Sequence, residues 1–149
     1  MSDPEAPPTS VLVVANETLT GGSLIGALRS RAEKGPIRVT VVAPVSPPRR
    51  GYVVYRDSRR AAASRRLERS LERLHEAGIT AHGEVVDDDP LAAVRDALAT
   101  EVVDEIIVST HPASRSGWLR RDLVGRLRSD AGVPVEHVIV ETADVGVPA

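Results

Sequence analysis

The sequence predicts a single α/β domain, a doubly wound five-stranded parallel sheet of order 3-2-1-4-5 with helices on both faces. Three observations carry that expectation. Val11 to Ala15, Val39 to Ala43 and Ile106 to Val108 are short, β-branched, nearly continuous apolar runs, as strands buried on both faces require. Stretches with helical spacing alternate with them, so that strand, helix and strand follow one another along the chain. Glycine and proline punctuate the joints, and 149 residues suffice for one full core without calling for a second domain.

The elements follow in order. β1 is expected at 11–16. Leu24, Leu28 and Ala32 give one apolar stripe for α1 at 20–34, which ends before Gly35-Pro36. β2 follows at 37–44. Leu67, Leu71 and Leu74 define α2 at 58–77, closed by Gly78, and β3 follows at 80–87. Asp89-Pro90 supplies an N-cap and a proline at the first helical position of α3, read at 90–103 on the stripe Leu91, Val94, Leu98 and Val102. β4 is read at 104–109. Leu119, Leu123 and Leu127 mark α4 at 117–131, closed by Gly132. β5 is read at 133–141, apolar on alternate residues with Glu136 breaking the run. A left-handed residue is expected at Gly35, Gly78 and Gly132, where each helix stops. Residues 1–9, rich in proline and acid, and 142–149 are read as tails around a domain spanning 10–141.

Strict alternation implies right-handed crossovers, and order 3-2-1-4-5 puts the switch point between β1 and β4, with a ligand crevice beyond their carboxyl ends. The alternative order 2-1-3-4-5 would set β1 beside β3 and bring Asp87, Asp88 and Asp89 to the crevice instead.

Composition excludes several classes. The chain has no cysteine, which removes disulfides, cysteine zinc sites and thiol catalysis. A formal net charge of −2 provides no overall field for nucleic acid, which is not an expected partner. In α2, Glu68, Glu72 and Glu76 interleave with the arginines, so that this helix reads as a solvated, ion-paired face. No apolar run approaches the roughly 18 residues of a membrane span, and the first ten residues lack the blocks of a signal peptide. A cytoplasmic location is expected.

The densest chemistry lies after β4, in Ser109-Thr110-His111-Pro112-Ala113-Ser114-Arg115-Ser116-Gly117-Trp118-Leu119-Arg120-Arg121. A helix start exposes unpaired N–H groups and positive potential to an anion. Ser109, Thr110, His111, Ser114, Arg115, Ser116, Gly117 and Trp118 are the candidate ligand contacts here. Asn16 and Thr18 after β1 and Val42 on β2 complete the set. Other features carry less. Gly21-Gly22-Ser23 opens α1 but lacks the lysine of a phosphate loop. Consecutive side chains Asp87 to Asp89 diverge, and they read as a cap rather than a metal site. His75, His82, His111 and His137 show no ligand spacing, and only His111 falls in the cradle. Tyr52 and Tyr55, placed on the β2–α2 connection, would reach the same end as Trp118, either to stack on a base or to pack as a flap or interface. No catalytic constellation is evident.

From residue 10 to 141 the chain resembles the universal stress protein family. The resemblance rests on the element order, the connection Pro44-Val45-Ser46-Pro47-Pro48 and the Arg/Glu-rich α2. It rests also on the block Gly117-Trp118-Leu119-Arg120-Arg121-Asp122-Leu123-Val124-Gly125, followed by Val133-Pro134-Val135. Nucleotide-binding members carry Gly, two residues, Gly, nine residues, then Gly with Ser or Thr. Those positions here hold Pro112, Arg115, Gly125 and Arg126, one match in four. Where such members end β1 on Asp, this chain has Asn16 and Glu17. The resemblance implies a non-enzymatic, regulatory or stress-response protein taking ATP, AMP or another phosphorylated small ligand at the β1/β4 crevice. It also implies a homodimer formed through the last strand, Val133 to Glu141. The alternatives are a ligand-independent dimeric interaction module of the same fold and a metal-dependent phosphate hydrolase or transferase.

Overall fold

A computed structural model describes residues 8–15, 22–44, 53–86, 90–110 and 123–139 of the chain. The strands are β1 (Thr9–Ala15), β2 (Ile37–Pro44), β3 (Ala81–Val86), β4 (Glu105–Thr110) and β5 (Val135–Ile139). The helices are α1 (Gly22–Lys34), α2 (Val53–Glu76), α3 (Pro90–Thr100) and α4 (Leu123–Asp130). All strand pairs are parallel and the order is β3-β2-β1-β4-β5, so the alternative order 2-1-3-4-5 is not adopted.

β1 is the centre of the sheet. Val13 lies opposite Val41 on one side and Ile107 on the other, and every residue from Val11 to Ala15 is buried. The reason its apolar run is continuous is that both faces are covered. Val11, Val13, Ala15, Val39, Val41 and Ile107 meet Leu24 and Leu28 of α1 and Leu67 and Leu74 of α2. Leu12, Val14, Ile106 and Val108 meet Ala93 and Val94 of α3 and Leu123 and Leu127 of α4. The helices thus change face where the chain jumps from β3 to β4, which creates the switch point between β1 and β4.

Several boundaries differ from the sequence reading, each for a physical reason. β1 begins at Thr9, whose N–H donates to Pro36 O at 2.9 Å, so Thr9 belongs to the strand rather than to a tail. α2 begins at Val53 rather than 58, which puts Tyr55 on a helix and not on a loop flap. Val53, Val54 and Tyr55 have modest helix propensity, yet propagating a formed helix costs little. α3 ends at Thr100, so Val102 leaves its expected stripe and is 76% exposed. Just beyond it Asp104 is committed to β1: Ser10 N–H donates to Asp104 Oδ2 and Asp104 N–H to Ser10 O, both at 2.8 Å. Ala32 is likewise exposed, and the half-buried Arg31 occupies the inner side of that last turn.

Gly78 and Gly132 have positive φ, at 82° and 70°, and Gly35 does not. At Gly78 the N–H of Ile79 donates to Leu74 O at 2.8 Å and that of Gly78 to His75 O at 2.9 Å, the double bond of a Schellman stop. α1 needs no such residue, because Pro36 disfavours helical geometry in the residue before it. Gly83 serves packing instead. A Cβ there would stand 3.1 Å from Leu67 Cδ1 and 3.2 Å from Val41 O, so its absence lets α2 lie close on β3.

Candidate functional site

The crevice expected at the switch point is flanked by the last residues of β1 and β4, where Ala15 lies opposite Ser109. Alternation along β4 sends the side chains of Ser109 and Thr110 to opposite faces. Ser109 shares a face with Ile107 and hence with α1 and α2; Thr110 shares one with Val108 and hence with α3 and α4. Ser109 is fully buried, and its hydroxyl has no hydrogen-bond partner among the described residues. An unsatisfied buried hydroxyl costs about 1–3 kcal/mol.

Thr110 is 1% exposed, but its hydroxyl is engaged: Oγ1 lies 2.7 Å from His137 Nε2. Burial lowers the His137 pKa from its ordinary value, and the Arg128 cation lowers it further. The folded protein therefore favours the neutral ring. Val42, opposite Val14, is packed in the cluster with Leu12 and Val108. Of the sequence candidates the structure thus places Ser109, Thr110 and Val42. Asn16, Thr18, His111, Ser114, Arg115, Ser116, Gly117 and Trp118 lie outside the described residues, as do Tyr52, Asp87, Asp88 and Asp89. Among the described residues no group of three His, Asp or Glu side chains could hold a metal ion.

Two arrangements escaped sequence reasoning. His137 shows no ligand spacing to the other histidines and lies outside the expected cradle; the signal was its alternation with Val135 and Ile139, which turns it towards α4. At the opposite end of the sheet Arg31 of α1 bridges two strands. Its Nε donates to Glu105 Oε1 at 2.6 Å, a second guanidinium nitrogen donates to Glu136 Oε2, and a third to Ala27 O at 2.9 Å. Burial alone would lower the Arg31 pKa, and the two carboxylates more than offset it, raising the value above the ordinary one. Glu136 breaks the apolar run of β5 because it faces α1 rather than solvent alone.

The described arginines from Arg65 onward on α2 are solvated and do not form the ion pairs expected of them. Arg65, Arg66, Arg69 and Arg73 make no ion pair with Glu68, Glu72 or Glu76, for on an exposed helix such pairs contribute little. On the α3/α4 side an open groove of about 590 Å³ is lined by Leu91, Arg95, Gly125, Arg126, Ser129 and Asp130. Arg95 is held there by Asp130 at 2.8 Å. No described helix is long and apolar enough to cross a membrane.

No protein-family model matches the chain, and no curated protein matches it. Solved structures do. The chain is similar to a universal stress protein family protein from Burkholderia pseudomallei, 18% identical over 87% of this chain and 94% of that one, with a TM-score of 0.64. It is similar to a protein of the same family from Arabidopsis thaliana with AMP bound, 16% identical over 95% and 97% of the two chains, with a TM-score of 0.62. A third is the universal stress protein of Archaeoglobus fulgidus in complex with dAMP, 19% identical over 89% and 98%, with a TM-score of 0.59. What is shared at these identities is the fold.

Proposed function

We propose that this chain, folded as universal stress proteins are, is a non-enzymatic cytoplasmic protein that binds a nucleotide or another phosphorylated small ligand at the β1/β4 crevice and acts in regulation or stress response. The observation that carries the reading is the strand order with its switch point between β1 and β4, in a fold similar to those of two proteins solved with AMP and dAMP. The polar segment after β4 supplies the chemistry. In this reading Arg115 and the hydroxyls of Ser114 and Ser116 hold the phosphate near Gly117, while Trp118 borders the ligand.

Titration with ATP, ADP, AMP and cyclic nucleotides, with sulfate as control, tests it through Trp118 fluorescence and melting temperature. A saturable signal with a nucleotide-dependent rise in melting temperature is expected, since a ligand that binds only the native state stabilises it. Arg115→Ala should weaken binding about tenfold, the loss of one charge-assisted hydrogen bond. Silence across the panel would refute the reading.

A second reading, a dimeric module acting without ligand, is favoured by the β5 edge. Among the described strands β5 pairs with β4 alone, and Ile139 at its end is 46% exposed. Both readings include a homodimer through this strand. A monomer mass by light scattering at micromolar concentration would remove the dimer from each.

A further inference from the structure

We propose that His137 is a proton-operated latch on the carboxyl end of β4: its neutral ring accepts the Thr110 O–H through Nε2, and acidification reverses that hydrogen bond, loosening the β4–β5 edge at the point where the chain leaves the sheet. The geometry is specific. His137 lies opposite Val108, and its ring reaches forward along the same face to Thr110, whose own opposite number is Ile139, the last residue of β5. The 2.7 Å contact therefore ties the last residue of β4 to β5 two residues before that strand ends. Thr110 is 1% exposed, so water cannot readily replace the bond.

Protonation changes what the pair can do. A neutral ring with a free Nε2 accepts the Thr110 O–H; a cationic ring carries N–H groups at both nitrogens and can only donate. Thr110 must then accept, and its own hydroxyl proton needs a new partner in a buried place. Among the described residues no free carboxylate faces the ring to compensate the charge. From α4, Arg128 faces the ring and is held beside β5 by its Nε donating to Val135 O at 3.3 Å. The carboxylates of the neighbouring elements are engaged elsewhere: Glu105 and Glu136 bond Arg31 on the opposite face, and Asp130 bonds Arg95.

A histidine whose folded pKa is depressed contributes stability that is complete above its ordinary value of 6.5 and is lost as pH falls through that value towards the folded one. Loosening is thus an acid-side event. It needs no ligand and does not rest on the nucleotide reading.

NMR of the full chain without ligand tests the latch, following the His137 ring and the Thr110 amide from about pH 8 to about pH 5. The His137 ring should titrate below 6.5, and the Thr110 amide should move with the same midpoint. Arg128→Gln should raise that midpoint by removing the opposing cation. His137→Gln should lose the acid-side part of the fall in melting temperature, which separates His137 from His75, His82 and His111. If that variant does not fold, Thr110→Val keeps the ring and deletes the bond: the ring still titrates, while the amides around position 110 cease to follow it. A ring that titrates at or above 6.5, a Thr110 amide indifferent to its midpoint, or full acid sensitivity in His137→Gln would overturn the proposal.

Discussion

The two ends of the sheet are finished differently. At the amino end Arg31 closes on Glu105, Glu136 and its own helix, and Ser10 and Asp104 clamp each other in both directions. At the carboxyl end Ser109 is buried with a hydroxyl unanswered by any described residue, and Thr110 meets one titratable partner among them. One end spends its polar groups on holding strands and helices together. The other retains chemistry that the described residues do not use, at the side of an α/β sheet where ligands bind.

The largest effect should come from opening the closed end. Arg31→Ala removes one cation from between two carboxylates and should cost about 2 kcal/mol in urea unfolding, less than the cost of breaking a deeply buried pair because Glu136 is half exposed. A cost near zero would mean that the bridge is ornamental and the contrast between the ends unreal. Gly78→Ala comes next, forcing a side chain into φ of 82° at the stop of α2, with an expected cost of about 1 kcal/mol. Retained stability would show that the turn can relax, so that this end is less constrained than its bonds suggest. The smallest effect belongs to the open end. Ser109→Ala should leave stability unchanged or raise it by up to about 1 kcal/mol, since it deletes an unpaired group. A clear loss in the same assay would reveal a partner for Ser109 and erase the difference.

The fold was legible because it is written in local pattern. Uninterrupted runs such as Val11 to Ala15 announce strands covered on both sides, and Pro90 and Gly78 mark helix ends through backbone constraints that act on neighbours alone. The site was less legible. The Arg31 bridge spans 74 residues to Glu105 and 105 to Glu136, and no local rule pairs them. His137 could have been found from the alternation of β5, yet what it meets depends on the register with β4. Val102 falls outside its expected stripe because helical spacing continues on paper beyond Thr100, where α3 ends, and the last helical backbone bond is that of Glu101 N–H to Ala97 O.

Strand order also sets the sequence of events as the chain emerges and folds. β1 finds β2 directly after α1, but its other neighbour begins far downstream, with Ser10 and Asp104 separated by 94 residues. The first three strands with α1 and α2 can close one face early, leaving Leu12, Val14 and Val42 bare on the other until α3, β4 and α4 arrive. A nascent or truncated chain lacking its last third thus carries a sticky, half-covered sheet, and chaperone capture should fall away once synthesis has passed α4.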